Sequence, residues 1–393
     1  MINRRTLLQF AGAGIAATPF APLPVFAAAP TSKRFVLLIL RGGADGLHML
    51  APWADRAYRD LRPGLALHRD GAPRVLDLDG YFAFHPALEQ FAALYQQREL
   101  AVLPAATTRY RDRSHFDGQN LLENGTAMPY GAADGWLNRS VALLNEGDRR
   151  LGLALGPRVP LVLQGSAAVQ TWSDSQLPEV SEEFLFRLEQ IYSADEAFAS
   201  TLELAQGTAP PDIDDSSMRS NPLRGPSLSL SAQAAASFLA RADGPRIAVL
   251  ESQGWDTHFD QERRLSQLFT EVAGAIMDLR TGLGEAWRET AVMVVSEFGR
   301  TAAENGSRGT DHGTGGIAVL AGGAIHGGRL LGDWPGLSPA ALYEGRDLRA
   351  TSFYEAAFKS VLIEHMGLAQ SVVEDSVFPD SAAVTPMDNL FRS

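Results

Sequence analysis

The chain contains no cysteine, which excludes disulfides, thiolate metal sites and cysteine nucleophiles together. Lysine is nearly absent too, with Lys33 and Lys359 the only two, so arginine carries almost all the positive charge. That charge is also in deficit: 34 Lys and Arg stand against 46 Asp and Glu, for a net −12. A nucleic-acid partner needs a basic face and is therefore not expected. After Pro30 no apolar segment is long enough to span a membrane, so the mature chain is expected to have no span. A GxSxG elbow and a phosphate-binding P-loop are both missing, which argues against an ordinary serine hydrolase and against nucleotide-driven chemistry.

The first segment has the build of an export signal. Arg4-Arg5 precedes an apolar stretch from Leu7 to Ala17, and small residues follow at Ala27 to Ala29. Paired arginines ahead of a weakly hydrophobic core resemble the twin-arginine type, which predicts passage of a folded chain through the twin-arginine translocase into the periplasm or beyond. GAGIAA at Gly12 matches a dinucleotide fingerprint only formally, because it lies inside this signal with no strand before it. Residues 1–29 are thus expected to be removed, leaving 30–393 as a single domain.

With 45% hydrophobic residues the remainder can bury a sizeable core. Short continuous apolar runs predict buried strands at Phe35–Arg41, Leu100–Ala106, Arg246–Ser252, Thr290–Gly299 and from Ile317. Helical patterns lie between them, at Pro86–Gln97, Ser231–Arg241 and Phe259–Leu283, and a last one at Phe353–Met366. Alternation of this kind predicts an α/β fold with a mostly parallel sheet. The stretch Gly207–Ser229, rich in proline, serine and acids, reads as a polar surface excursion.

In open α/β sheets ligands bind beyond the carboxyl ends of the strands, and here each such end carries acids or histidines. Asp45 follows the first strand in RGGADGLH. Ser114 follows the second, beside Arg111 and Arg113, at the predicted start of a helix. Asp256 and His258 follow the third in QGWDTHFD. Glu297 ends the fourth, and Asp311-His312 in GTDHGTGG precede the fifth. Each has a plainer reading: Asp45 bracing a turn, Ser114 or Asp256 capping a helix, Glu297 paired with Arg300, Asp311 in a polar turn. Recurrence at one sheet edge favours a divalent-metal site, because carboxylates and neutral imidazoles without thiolate suit such ions. His68, His85, His326 and His365 read as structural or surface histidines; His48 lies nearer Asp45.

LRGGADGLHML, RSHFDGQNLLENG, GWDTH, SEFGRT with ENGSRGTDHG, and GGRLLGDWPGL resemble the exported bacterial family catalogued as domain of unknown function 1501. That family is similar in fold to the alkaline phosphatase and sulfatase superfamily, which implies a three-layer alkaline phosphatase-like architecture. The resemblance makes Ser114 the nucleophile, and Asp45, Asp256, His258, Glu297, Asp311 and His312 metal residues. Phe298 stands where that superfamily has a further ligand, so the second ion is expected to be weakly held unless Asp311 or His115 fills the gap.

The implied function is that of an exported metal-dependent hydrolase or transferase for phosphate or sulfate esters. It would use one or two divalent ions (Zn, Mn, Mg or Ca), with Arg113 or Arg300 holding the remaining substrate oxygens. The competing reading is a non-catalytic envelope protein that binds a glycan or a protein partner.

Overall fold

The computed structural model describes residues 31–68, 74–145, 150–173, 182–192, 227–392 and the single positions 195, 199 and 202. The export signal, and all of the polar excursion before Ser227, lie outside them. The chain divides into two compact units. The smaller includes 174–225, in which the helix Glu182–Tyr192 is described. The larger, Ala28–Ser173 with Pro226–Ser393, holds the sheet and every candidate site residue.

The sheet has nine strands: β1 Arg34–Leu40, β2 Leu100–Thr107, β3 Gly152–Leu155, β4 Val169–Trp172, β5 Ile247–Ser252, β6 Thr290–Ser296, β7 Gly316–Ala321, β8 Arg329–Leu330 and β9 Ser352–Phe353. Their order is β8-β2-β7-β6-β1-β5-β3-β4, and β9 also pairs with β2. The central pairings of β1 with β5 and β6 are parallel, as the apolar runs predict. All seven residues of β1 and of β6 are buried, the expected state of strands covered on both faces. β7 is antiparallel to both β2 and β6, a departure that the apolar pattern cannot signal. β3 and β4 are too short to stand out in the sequence. Among the described residues no helix is long and apolar enough to cross a membrane.

The helix Gln261–Leu283 buries Leu265, Phe269, Val272, Ile276, Leu279 and Leu283, a spacing of three and four that makes one apolar stripe; the helix packs against the helix Leu228–Leu239. That second helix starts where the Ser227 hydroxyl accepts from Leu230 N at 3.1 Å. The helix His115–Asn124 stops at Gly125, whose φ of 68° is left-handed. A Cβ there would meet Trp136 Cβ at 2.6 Å, so only glycine lets the chain turn against this tryptophan. Trp136 is fully buried in the main core cluster, where truncation to alanine should cost roughly 3–5 kcal/mol.

Candidate metal centre

Strand directions bring the predicted residues to one edge. β1, β2, β5 and β6 run the same way, so the segments after them leave together, while antiparallel β7 begins on that same edge. The loop before β7 threads between two others. Thr310 N donates to Thr257 O at 3.2 Å and Thr301 N to Asp311 O at 2.9 Å. A Cβ on Gly309 would collide with the backbone of His258, and one on Gly313 with the carbonyl of Arg300. The bareness of GTDHGTGG is thus a packing requirement: two glycines let His312 pass between its neighbours.

His312 Nε2 lies 3.0 Å from His115 Nε2, 3.0 Å from His258 Nε2 and 3.2 Å from Asp256 Oδ1. Asp256 Oδ1 is also 3.0 Å from His258 Nε2 and 3.7 Å from His115 Nε2. The other nitrogen of each ring fixes what these atoms are. His312 Nδ1 is 3.0 Å from Arg113 O, a carbonyl that only accepts, so that nitrogen carries the proton. His258 Nδ1 donates likewise to Asp311 Oδ1 at 2.9 Å, and His115 Nδ1 to Glu297 Oε1 at 2.7 Å. In the neutral rings all three Nε2 atoms therefore present lone pairs, that of His312 to the other two and all three to a carboxylate. Four acceptors without a proton among them repel unless a proton or a metal cation joins them. Tetrahedral ligands about 2.0–2.2 Å from a shared ion stand about 3.3–3.6 Å apart, a range that the separations of 3.0–3.7 Å bracket.

The supporting shell follows the same logic. Glu297 is buried and accepts from Gly42 N at 2.9 Å, Gln119 Nε2 at 2.9 Å and the Ser296 hydroxyl at 3.1 Å. Burial alone would raise its pKa, but the bonds from His115 and Gln119 outweigh it and hold the carboxyl below its usual range. Burial likewise works against ionised Asp256, and the hydrogen bond and charge of Arg300 prevail over it. His258 and Asn305 keep Asp311 low. Burial, together with the charges of His115 and Arg300, pushes His312 below the ordinary histidine value, which favours its neutral form. The cluster is open on one side, with the Asp256 and His258 side chains 45% and 41% exposed.

The predicted residues are thus sorted by position. Asp256, His258 and His312 meet at the convergence, joined by His115, which the sequence offered only as a replacement for the ligand missing at Phe298. Glu297 and Asp311 stand one step back, orienting His115 and His258. Asp45 belongs elsewhere: fully buried, it accepts from Arg62 Nη1 at 2.7 Å and Gln261 Nε2 at 2.7 Å. Arg300 is buried and donates to the carbonyls of Gly42, Gly43, Trp255 and Thr310 as well as to Asp256. Its guanidinium therefore braces the loops instead of facing a ligand. Arg113 is held by Asp347 at 2.9 Å and Glu344 at 2.6 Å. Ser114 precedes the helix His115–Asn124 without a side-chain capping bond, so its hydroxyl is not committed to the helix. Phe298 is buried, with its ring centroid 4.9 Å from that of His115 and 5.4 Å from that of His312.

A second group, His48, His85 and Glu262, also has ligand-type atoms close together, but its protons are arranged differently. His85 Nδ1 accepts from Ala87 N at 3.0 Å, so its Nε2 carries the proton toward Glu262 Oε1 at 3.3 Å. His48 Nε2 lies 2.8 Å from Glu262 Oε2. The close approach of these two histidines holds the Glu262 carboxyl far below its usual range. This is a carboxylate between two imidazoles, whose His85 nitrogen has no lone pair to give an ion.

The architecture is mixed α/β with a large, mostly parallel sheet and a histidine-carboxylate cluster at one edge. Residues 32–376 match the family described as Protein of unknown function (DUF1501), and the chain belongs to that family. No curated protein matches it. Among solved structures it is similar to a histidine-to-glutamate variant of the TAB5 alkaline phosphatase with Mg bound, at 13% identity and a TM-score of 0.34, over 74% of this chain and 91% of that one. It is also similar to a Bacteroides thetaiotaomicron structure reported under the metabolism of multiple glycosaminoglycans, at 11% identity and a TM-score of 0.36, over 76% and 69%. The lipoteichoic acid synthase LtaP of Listeria monocytogenes aligns at 9% identity and a TM-score of 0.31, over 81% and 71%.

Proposed function

We propose that this chain is an exported hydrolase or transferase for phosphate or sulfate esters, working with one divalent ion held by His115, Asp256, His258 and His312. The observation that carries the metal reading is the convergence on Asp256 Oδ1 of three Nε2 atoms, each bearing a lone pair in the neutral ring. Three imidazoles and one carboxylate suit Zn, Mn or a similar transition ion; Mg and Ca prefer oxygen ligands. A single ion fits because Phe298 closes the space beside His115 and His312 with an apolar ring.

When bound, such an ion polarises a phosphoryl or sulfuryl oxygen. Beside it, the helix His115–Asn124 begins without a side-chain cap, and free N–H groups at a helix start favour an anionic oxygen. Ser114 stands at that start as the candidate nucleophile. Glu297, Asp311 and the Arg113 carbonyl hold the rings in the required tautomers, and Arg300 fixes Asp256. Arg4-Arg5 would direct export through the twin-arginine route; changing both to lysine should block it, and normal export would overturn that route.

The competing reading is a non-catalytic binder of a glycan or partner. It draws support from Arg113 and Arg300, whose guanidiniums are already paired inside the protein. Assay of the purified chain on aryl phosphates and aryl sulfates, with and without a chelator, separates the two. Chelator-sensitive turnover supports the enzyme; metal binding with no turnover on either ester class supports the binder.

A further inference from the structure

Gln261 is fully buried at the start of the long helix. Asp260 before it adopts a left-handed φ of 47°, and Gln261 N donates to Arg308 O at 3.0 Å, so the helix start is fastened to the 307–308 turn. The orientation of its amide is determined, because Nε2 donates to Asp45 Oδ2 at 2.7 Å and a carboxylate only accepts. Oε1 must then point the other way. There it accepts from Thr257 Oγ1 at 3.0 Å and from Thr310 Oγ1 at 2.6 Å.

Those threonines lie on two separate loops. Thr257 sits between Asp256 and His258; Thr310 is two residues before His312. One amide oxygen thus ties together the loops that supply three of the four converging residues. Asp45 is anchored in turn by Arg62, whose Nε donates to Ala302 O at 2.9 Å and Nη2 to Thr301 O at 2.8 Å, just beyond Arg300. Asp45, Arg62, Thr257, Gln261 and Thr310 are all at most 1% exposed. In such a buried network loss of one member leaves others unpaired.

We infer that Gln261, held by Asp45 and Arg62, is a positioning residue that sets the spacing of Asp256, His258 and His312 for the ion; this rests on the metal reading above. The acid after the first strand then shapes the centre through Gln261 instead of touching it.

The test uses Co(II) as probe on the purified chain and on three variants: Gln261→Leu, the nearly isosteric double variant Thr257→Val/Thr310→Val, and the conservative Thr310→Ser. Affinity is measured by chelator competition, ligand-field absorption reports the geometry at the ion, and urea unfolding of the metal-free protein confirms folding. Removing both hydroxyls should weaken Co(II) binding about 10-fold or more and shift the absorption bands, while Thr310→Ser should keep both near wild type. Gln261→Leu should act at least as strongly; should it fail to fold, the double variant decides. A folded double variant with wild-type affinity and spectrum overturns the positioning role alone. Wild-type protein that binds no Co(II) overturns the metal reading and this inference with it.

Discussion

His258 and His312 meet nitrogen to nitrogen, Nε2 to Nε2 at 3.0 Å, and in the neutral rings neither nitrogen has a proton to share. Asp311 and the Arg113 carbonyl hold those protons on the far sides of the two rings.

The shell behind the rings should matter for the same reason. Asp311→Ala removes the acceptor that fixes the His258 tautomer, and metal affinity should fall about 10–100-fold. Its side chain is 51% exposed, so stability of the metal-free protein should change by no more than about 0.5 kcal/mol. Equal affinities for variant and wild type would remove Asp311 from the account.

Ser114→Ala distinguishes nucleophile from cap. Because no capping bond exists to lose, stability should change by less than about 0.5 kcal/mol and metal content should stay the same. Turnover on any ester found should disappear. Retained turnover would dismiss Ser114 as the nucleophile.

Gly313→Ala forces a methyl group into the Arg300 carbonyl. The close atoms are all backbone of Arg300 and Thr301 and have little room to adjust, so the change should cost about 2 kcal/mol or more and lower metal affinity with it. Gly306→Ala, in the same loop region but facing open space, should be close to neutral. Denaturant unfolding of the two variants makes the comparison.

Away from the centre, His365 should make stability depend on pH. Burial pushes its pKa down to about 4, against roughly 6.5 in an unfolded chain. The fold holds the ring neutral, so its contribution is complete above pH ~6.5 and is lost as the pH falls toward 4. The full effect is roughly 3 kcal/mol. Urea unfolding at pH 7 and pH 5 should show wild type losing more stability than His365→Gln; identical losses would refute the assignment.

How much of this was legible in the sequence depended on which property each feature used. β1, β2, β5 and β6 were readable because strands buried on both faces must be continuous apolar runs. The reversal of β7 was not, since apolar pattern carries no direction. That Asp256, His258 and His312 would share one edge was readable from their places beside strand ends. His115 was underrated, because its neighbour Ser114 drew attention as the residue before a helix, and a histidine at a first helical position looks like any other. Asp45 could not be sorted from the ligands by sequence and Gln261 gave no signal, since their roles come from contacts with Arg62, Thr257 and Thr310 that form only after folding.

The most direct measurement is the metal stoichiometry of the purified chain after reconstitution with Zn(II), read by elemental analysis and by the rise in thermal midpoint. A ligand that binds only the folded state raises that midpoint. The account predicts about one ion per chain in wild type and in His365→Ala, and loss of both ion and stabilisation in His312→Ala. Wild-type protein that stays empty, or a His312→Ala variant that binds as wild type does, would contradict it.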